Sequence, residues 1–282
     1  MPRDVSSDTK TPRSPQYSLG YSNATHRWMS LRSPAIHGAF FLPHLSPGMR
    51  LLDCGCGPGS ITLGLASAVA PGEVVGIDIE PIQIERASAL AQEQGVTNVQ
   101  FEVAPINPLP FPDASFDAVF VHAVMYHLPN PLDALRECVR VLKPGGVIGV
   151  RDTDYSVWFL EPATPVLDAF RDLSLRVAAF NGASPTYARQ QRSLLVQAGC
   201  TTTSSAASCI SRGSADEIAA SVQAHITRLQ SPAFYPVAIE QGWATETSLA
   251  QMADELRAWG VRADAFEAIM WRESVGWTSI EH

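Results

Sequence analysis

The sequence predicts a doubly wound α/β domain, in which helices cover both faces of a mostly parallel sheet. Short apolar runs alternate with longer segments that repeat apolar residues at helical spacing. Strands are expected at 50–53, 73–77, 99–103, 116–122 and 147–151. Such alternation favours parallel strands joined by helical crossovers. A glycine-rich turn after the first strand and an acidic residue after the second indicate that the sheet carries a nucleoside site.

Helices are expected between these strands, beyond the fifth strand and before the first. Two precede the sheet, at about 23–32 and 34–44, and Ser33 and Pro34 supply an N-cap and an N1 proline for the second. The others are expected at about 60–69, 81–94, 131–142, 165–180, 184–198, 214–229, 233–242 and 245–259. Residues 1–15 are polar, rich in Pro and Ser, and lack the apolar core of a signal peptide, so a disordered tail is expected there.

The composition describes a globular protein with enough apolar residues for a sizeable core. Of 282 residues, 46% are hydrophobic and 17% charged, and the formal net charge is −8. This acidic balance argues against a nucleic-acid partner, since proteins that bind a phosphate backbone carry a basic surface. No apolar run reaches the roughly 18 residues of a membrane span, so we expect a cytoplasmic protein without a membrane partner. The five cysteines have no zinc-like spacing, and no metal site is predicted.

The glycine turn has the spacing G-x-G-x-G over residues 55–59 and directly follows the first strand, which closes with Asp53. A dinucleotide fingerprint needs G-x-G-x-x-G, whereas position 60 is Ser. The glycines allow close approach of a ligand or a left-handed backbone, and the turn presents N–H donors at a helix N-terminus. Asp78 can accept both hydroxyls of a ribose, although it could instead cap the helix from 81. Asp53 suits a ligand that carries an amino group.

Together these residues resemble motif I of the class I S-adenosylmethionine-dependent methyltransferases. The resemblance implies S-adenosylmethionine as cofactor and S-adenosylhomocysteine as product, and it covers most of residues 17–277. Carried onto this sequence, it implies that the cofactor is bound by Tyr21, Asp53, Gly55, Cys56, Gly57, Gly59, Asp78, Ile79, Ile106, Asn107 and His122.

The resemblance also implies how the rest of the chain is arranged. The sheet would have seven strands, the last two of which, at 201–210 and about 270–278, form an antiparallel hairpin. The helical stretch between them, about 212–262, would cap the substrate site within a methyltransferase domain at 46–282. Residues 16–45 would fold over the cofactor as a lid. Tyr21 from this lid would contact the cationic sulfonium or, alternatively, pack as an ordinary core residue.

The segment 101–117 (FEVAPINPLPFPDASFD) resembles the stretch after strand three of the ubiquinone/menaquinone-type methyltransferases. Those proteins have G-D-A where this chain has Ala104-Pro105-Ile106. Pro105 therefore stands in place of the aspartate that accepts from the adenine amino group. We expect the Ile106 backbone N–H to reach the adenine ring and Asn107 to replace the missing acceptor.

Residues 122–129 (HAVMYHLP) resemble the family segment that lies beside the transferred methyl group. His122 is expected nearest to the cofactor. An imidazole with a pKa near 6.5 suits proton removal at neutral pH, so His122 and His127 are the candidate catalytic bases. For His127 a second interpretation is a hydrogen bond to a backbone carbonyl. Residues 151–155 (RDTDY) are expected to leave the fifth strand at the same edge, either to contact a polar substrate or to form a salt-bridged loop.

The predicted function is transfer of a methyl group from S-adenosylmethionine to a small-molecule metabolite, in secondary metabolism or in quinone-type C-methylation. Two further hypotheses stay open: a non-catalytic protein of this fold whose pocket has decayed, which Pro105 allows, and a nicotinamide-dependent oxidoreductase. The residues do not distinguish methylation at oxygen, nitrogen or carbon, and they do not indicate an oligomeric state. The negative net charge and the aromatic-rich cap favour a neutral or cationic, partly apolar acceptor.

Overall fold

The computed structural model describes residues 32–280, which form a seven-stranded sheet flanked by helices. The strands are β1 (Leu51–Cys54), β2 (Val74–Asp78), β3 (Val99–Val103), β4 (Phe116–His122), β5 (Leu142–Glu161), β6 (Thr202–Arg212) and β7 (Phe266–Trp277). Their order is β3-β2-β1-β4-β5-β7-β6. Neighbours from β3 to β5 are parallel, and β7 is antiparallel to both β5 and β6. The predicted seven-stranded, mostly parallel sheet is confirmed.

The helices are α1 (Pro34–His37), α2 (Thr62–Val69), α3 (Pro81–Gln94), α4 (Pro131–Arg140), α5 (Pro165–Phe180), α6 (Gln191–Ala198), α7 (Ala215–Leu229), α8 (Tyr235–Glu240) and α9 (Glu246–Gly260). Short 3₁₀ turns occupy Leu42–His44, Met125–His127 and Tyr187–Gln190. Within residues 32–280, none of the helices combines the length and apolarity that crossing a lipid bilayer requires.

Two segments predicted as single helices are interrupted. Residues 34–44 form α1 and then a separate 3₁₀ turn, because Gly38 caps α1 and Pro43 has no N–H to continue a helical ladder. Residues 184–198 begin with a 3₁₀ turn and become α-helical only at Gln191. The tail expected at 1–15, and all but the last residue of the helix expected at 23–32, lie outside the described residues.

Strand β5 is much longer than predicted. From Val147 to Glu161 it pairs with β7 in antiparallel register, with Arg151 opposite Glu273. The prediction that the chain leaves the sheet after Arg151 is therefore wrong. The run of polar residues resembles a loop in sequence, but Glu273 on the neighbouring strand supplies a counter-ion to Arg151 at 2.9 Å. Arg151, Asp152 and Asp154 are each only 1% exposed, so they belong to the interior of the sheet.

Two apolar clusters lie on opposite faces of the sheet, and a third lies among the helices α5, α7, α8 and α9, which together are called the cap below. Leu52 and Cys54 of β1 face one cluster and Leu51 faces the other, as the alternation of a strand requires. The cap cluster packs α5, α7 and α9 together, with Trp259 buried among them. The Trp259 indole N–H donates to the backbone oxygen of Glu161 at 2.9 Å, which joins the cap to the end of β5.

A buried carboxylate also joins the cap to the sheet. Glu267 on β7 is 2% exposed; it accepts from Trp158 Nε1 at 2.8 Å and pairs with Arg212 Nη1 at 3.1 Å. Ser221 and His225 of α7 contact the same carboxylate, His225 Nε2 at 3.0 Å. Burial opposes ionisation, but the contacts with His225 and Arg212 hold the pKa of Glu267 well below its usual range.

Replacing this carboxylate should loosen the cap. We expect Glu267→Ala to lower the free energy of unfolding by roughly 3–5 kcal/mol, because buried partners are left without their acceptor. A depressed carboxyl pKa contributes stability that is present above the unfolded-state pKa of about 4.3 and is lost as the pH falls below it. Urea unfolding at about pH 7 and about pH 3 should therefore show a smaller difference between variant and wild type at the lower pH.

The matched control is Asp254→Ala, which removes an exposed ion pair with Arg257. That substitution should change stability little at either pH. Equal losses in the two variants would contradict the role given to Glu267.

Candidate active site

The glycine turn after β1 is shaped by backbone conformation and by close packing. Gly55, Gly57 and Gly59 have φ angles of +75°, +54° and +83°. Residues that carry a Cβ rarely adopt this region. A Cβ on Gly55 would lie 2.2 Å from a methyl carbon of Val124. Gly55 is therefore required by the fold, since it lets the turn rest against the segment that follows β4.

Asp78, at the end of β2, ties the glycine turn to its own strand. Its Oδ2 accepts from the Gly57 N–H and its Oδ1 from the Glu80 N–H, each at 3.0 Å. Burial raises the pKa of Asp78, and the two backbone bonds work against that rise. Each carboxylate oxygen keeps further lone pairs. The carboxylate can thus orient the turn and still accept hydrogen bonds from a ligand.

Asp53, near the end of β1, is a carboxyl group buried within the site. It is 2% exposed, and its Oδ2 accepts from the Thr62 hydroxyl at 2.7 Å. Burial raises the pKa of Asp53 to about 7, and the hydrogen bond from Thr62 offsets only part of that rise. A carboxyl group in this condition is readily ionised by a cation placed beside it.

His122, the last residue of β4, is held between aromatic rings and guanidinium groups. Its ring stacks on Trp271 with the centroids 5.2 Å apart, and its Nε2 lies 3.0 Å from Arg151 Nη1. Its Nδ1 lies 3.4 Å from Arg32 Nη1. Burial, and then the charges of Arg32 and Arg151, hold the pKa of His122 well below its ordinary value. The imidazole is neutral at physiological pH.

The turn Met125–His127 follows β4 and carries the second candidate base. Burial lowers the pKa of His127 to about 3, with a smaller contribution from Arg32. The backbone N–H groups of Met125 and Tyr126 lie beside the carboxyl group of Asp152 on β5 and lower its pKa against the larger effect of burial. Because His127 meets the Tyr126 ring edge-on at a centroid distance of 4.7 Å, its orientation depends on the same turn.

The residues expected around an adenine ring lie along the β2–β3 edge. The Ala104 N–H donates to the backbone oxygen of Asp78 at 3.1 Å, which brings the segment after β3 beside the end of β2. Ile106 is partly buried against the core. Ile79 is 66% exposed, and Asn107 is exposed as well. An exposed apolar side chain beside the carboxyl end of β2 offers a surface for a flat ring.

A cavity of about 300 Å³ lies at this carboxyl edge of the sheet. It is lined by Arg32, Asp53, Gly55, Cys56, Gly57, Pro58, Ser60, Ile61, Phe120 and His122. The structure therefore brings together Asp53, the first half of the glycine turn and His122. Asp78 reaches the cavity through its bond to Gly57. Gly59 and the β2–β3 edge residues lie outside its walls.

Arg32 is a cavity residue that the sequence interpretation missed. It stands in a segment without a motif, and nothing in its spacing sets it apart from a solvated arginine. Only the fold places its guanidinium beside His122 and the glycine turn. Tyr21, the expected lid contact, lies outside the described residues. Within residues 32–280, no group of three or more His, Cys, Asp or Glu side chains is arranged to hold a metal ion.

The sequence from 45 to 190 matches a family model described as a methyltransferase domain, which is just over half of the chain. The chain belongs to this methyltransferase family. It is 34% identical over 184 residues to an uncharacterized methyltransferase of Schizosaccharomyces pombe, a match that covers 63% of this chain and 65% of that protein.

Two further comparisons place the chain among proteins of this kind. It is 41% identical over 109 residues to the 27-O-demethylrifamycin SV methyltransferase of Amycolatopsis mediterranei, covering 38% of this chain and 40% of that protein. The matches thus span between 40% and 65% of these curated relatives. The crystal structure of the YcgJ protein of Bacillus subtilis superposes with a TM-score of 0.56 at 22% identity, covering 86% and 96% of the two chains. This last likeness shows a shared fold.

The environment of His122 gives a prediction for its protonation. The imidazole should stay neutral in the folded protein as the pH falls through the ordinary histidine pKa of about 6.5. The unfolded chain binds a proton there below about pH 6.5, so this residue should reduce stability as the pH falls below that value. Histidine side-chain NMR measures the titration, and the His122→Gln variant assigns the signal by its loss. A midpoint near 6.5 in the folded protein would contradict the buried arrangement.

Proposed function

We propose that this protein transfers a methyl group from S-adenosylmethionine to a small-molecule acceptor of secondary metabolism. The observation that carries the proposal is one cavity in which a buried carboxyl group, a guanidinium and the backbone of the glycine turn meet. A ligand with an amino-acid end is complementary to the carboxyl group of Asp53 and the guanidinium of Arg32, since its ammonium can face the first and its carboxylate the second. The rifamycin methyltransferase among the relatives supports the acceptor class.

The remaining residues fit the other parts of the cofactor. Asp78 would take the ribose hydroxyls, because its carboxylate keeps acceptor capacity beside the glycine turn. Ile79, Ile106 and Asn107 would receive the adenine ring at the β2–β3 edge. Pro105 has no polar side chain for the adenine amino group, so Asn107 would serve as its acceptor. Tyr21, from the segment before the described residues, would close over the sulfonium.

When bound, S-adenosylmethionine supplies a methyl group activated by a positively charged sulfur. The residues of this chain bind and orient the reactants and exclude water, which together provide most of the acceleration expected for an in-line transfer. His122 is held by Arg151 and forms one wall of the cavity. A proton-removing role for His122 or His127 stays a prediction. Because both have lowered pKa values, that role requires an acceptor whose own proton is weakly held.

A second candidate function is quinone-type C-methylation, favoured by the likeness of residues 101–117 to the quinone methyltransferases. A screen that offers a demethylated quinone beside phenolic metabolites, with labelled S-adenosylmethionine, distinguishes the two acceptor classes. Methylation of the quinone alone would replace the acceptor proposed here and leave the cofactor unchanged.

Calorimetric titration with S-adenosylhomocysteine tests the cofactor. We expect micromolar binding by the wild type and a loss of about tenfold or more in Asp78→Ala, since a charged hydrogen-bond acceptor contributes roughly 1.5–3 kcal/mol. Glu85→Ala, an exposed acidic position on the neighbouring α3, is the matched control and should bind as the wild type does. Unchanged affinity in Asp78→Ala would remove Asp78 from the ribose site.

Failure of the wild-type protein to bind S-adenosylhomocysteine would support the hypothesis of a non-catalytic protein whose pocket has decayed. Binding of NADH in its place would support an oxidoreductase.

The raised pKa of Asp53 predicts how this binding depends on pH. With a pKa of about 7, the carboxyl group of the free protein becomes protonated as the pH falls below 7. The ligand's ammonium prefers the ionised form, so affinity for S-adenosylhomocysteine should fall from about pH 8 to about pH 6, with proton release on binding at the lower pH. Titration in two buffers of different ionisation enthalpy measures that release. Asp53→Asn should bind more weakly, with its pH dependence in this range lost; a wild-type affinity that does not vary with pH would contradict the assignment.

A further inference from the structure

A second cavity, of about 360 Å³, lies between the cap and the segment that follows β4. Helices α5 and α7 and the start of α8 border it on the cap side, and Tyr126 and Tyr155 border it on the sheet side. The glycine turn is not among the residues that line it.

One wall carries a guanidinium that forms no ion pair with a carboxylate of the described residues. Arg228 of α7 is partly buried and lines the cavity. Its charged end lies over the Trp158 ring, 5.8 Å from the ring centre. None of the ion pairs formed within residues 32–280 includes Arg228. In a chain of net charge −8, an arginine that faces a cavity without an acidic partner indicates a place for an anion.

A second polar group in the wall also lacks a partner. The Ser174 hydroxyl of α5 lines the cavity, and the residue is 5% exposed. Among the described residues it has no hydrogen-bond partner. A buried hydroxyl left unpaired costs free energy, so an acceptor atom of a ligand in the cavity would satisfy it. Arg228 and Ser174 are thus two donors that border the same space.

The rest of the wall is mostly aromatic and apolar, and Asn181 is the further polar residue among the described ones. Tyr126 and Tyr155 lie with ring centres 5.0 Å apart, and Tyr155 in turn meets Trp158 edge-on at 6.2 Å. Phe234, 3% exposed, closes the cap side. Such a surface favours a flat, apolar body, since aromatic pairs gain from edge-to-face and offset contact.

The chain connects this cavity to the proposed methyl-transfer site. His122 lines the first cavity, and Tyr126, four residues later, lines the second. The short segment between them includes Val124, which packs against Gly55 of the glycine turn. A molecule held in the second cavity is therefore bounded by the same segment as the cofactor.

We propose that the second cavity is the acceptor site and that the acceptor is an aromatic carboxylate. The ring system lies among Tyr126, Tyr155 and Phe234, while the carboxylate accepts from Arg228 and Ser174. This inference rests on the proposed methyltransferase function and specifies its substrate class. It differs from the neutral or cationic acceptor that the net charge of the chain favours, because one local guanidinium determines the charge that a cavity accepts.

The test compares two probes of equal shape, naphthalene-2-carboxylate and naphthalene-2-carboxamide, by calorimetry on the full chain with and without S-adenosylhomocysteine. We expect the affinity for the carboxylate to exceed that for the amide by a factor of about ten or more, because a charge-assisted hydrogen bond is stronger than a neutral one. Arg228→Met should abolish that preference, and Arg228→Lys should retain part of it. Ser174→Ala should weaken the carboxylate by a smaller factor. The control is Arg176→Met, because Arg176 stacks on Trp243 at 4.3 Å without lining the cavity.

Equal affinity for the two probes, binding of neither, or a preference that survives in Arg228→Met would each overturn the proposal. Thermal unfolding of every variant confirms that a lost preference comes from folded protein, and Arg228→Lys keeps the cation if Arg228→Met fails to fold. The outcome is separate from that of the proposed function. S-adenosylhomocysteine binding with no carboxylate preference would reject the acceptor class alone, whereas absent cofactor binding would reject the methyltransferase activity.

Discussion

The buried guanidinium of Arg151 is the interaction on which the geometry of the site depends most. It lies on β5 and donates to Glu273 of β7 at 2.9 Å and to Ser208 of β6 at 3.3 Å, while His122 of β4 lies 3.0 Å away. The Trp271 ring covers it at 4.3 Å. A charge can be buried this deeply only when partners replace its water on each side. One side chain therefore links four strands and fixes the ring that forms a wall of the cofactor cavity.

The next residue along β5 performs the complementary task on the other face of the sheet. Because side chains alternate along a strand, Asp152 points away from Arg151 and lies beside the backbone N–H groups of Met125 and Tyr126. Burial raises the pKa of Asp152 to about 8. The turn beside it carries His127, and its Tyr126 lines the second cavity. Two adjacent residues of β5 thus lie next to the two cavities, Arg151 against His122 of the first and Asp152 against the turn that borders the second.

The parts of the fold that follow from local patterns could be predicted from sequence. Apolar runs located β1 to β4 within a residue or two, and the glycine spacing located the turn that lines the cavity. The parts that depend on distant partners could not be predicted. Arg151 and Asp154 are polar, and they lie within a strand because Glu273 and Arg189, which are distant in sequence, pair with them. Likewise Arg32 has no motif, and Ser174 and Arg228 are separated by more than fifty positions along the chain before the cap brings them to one cavity.

Local charge, and not net charge, determines what each cavity can accept. The chain carries 28 acidic and 20 basic side chains, yet each cavity contains an arginine: Arg32 in the first and Arg228 in the second. Within a site from which water is excluded, one guanidinium a few ångströms away outweighs a diffuse surface charge that solvent and salt screen over about 10 Å. The first cavity balances its arginine with the carboxyl group of Asp53, as a zwitterionic ligand end requires. Among the described residues that line the second, none is acidic. The two cavities are therefore electrostatically different, as the proposed cationic methyl donor and anionic acceptor require.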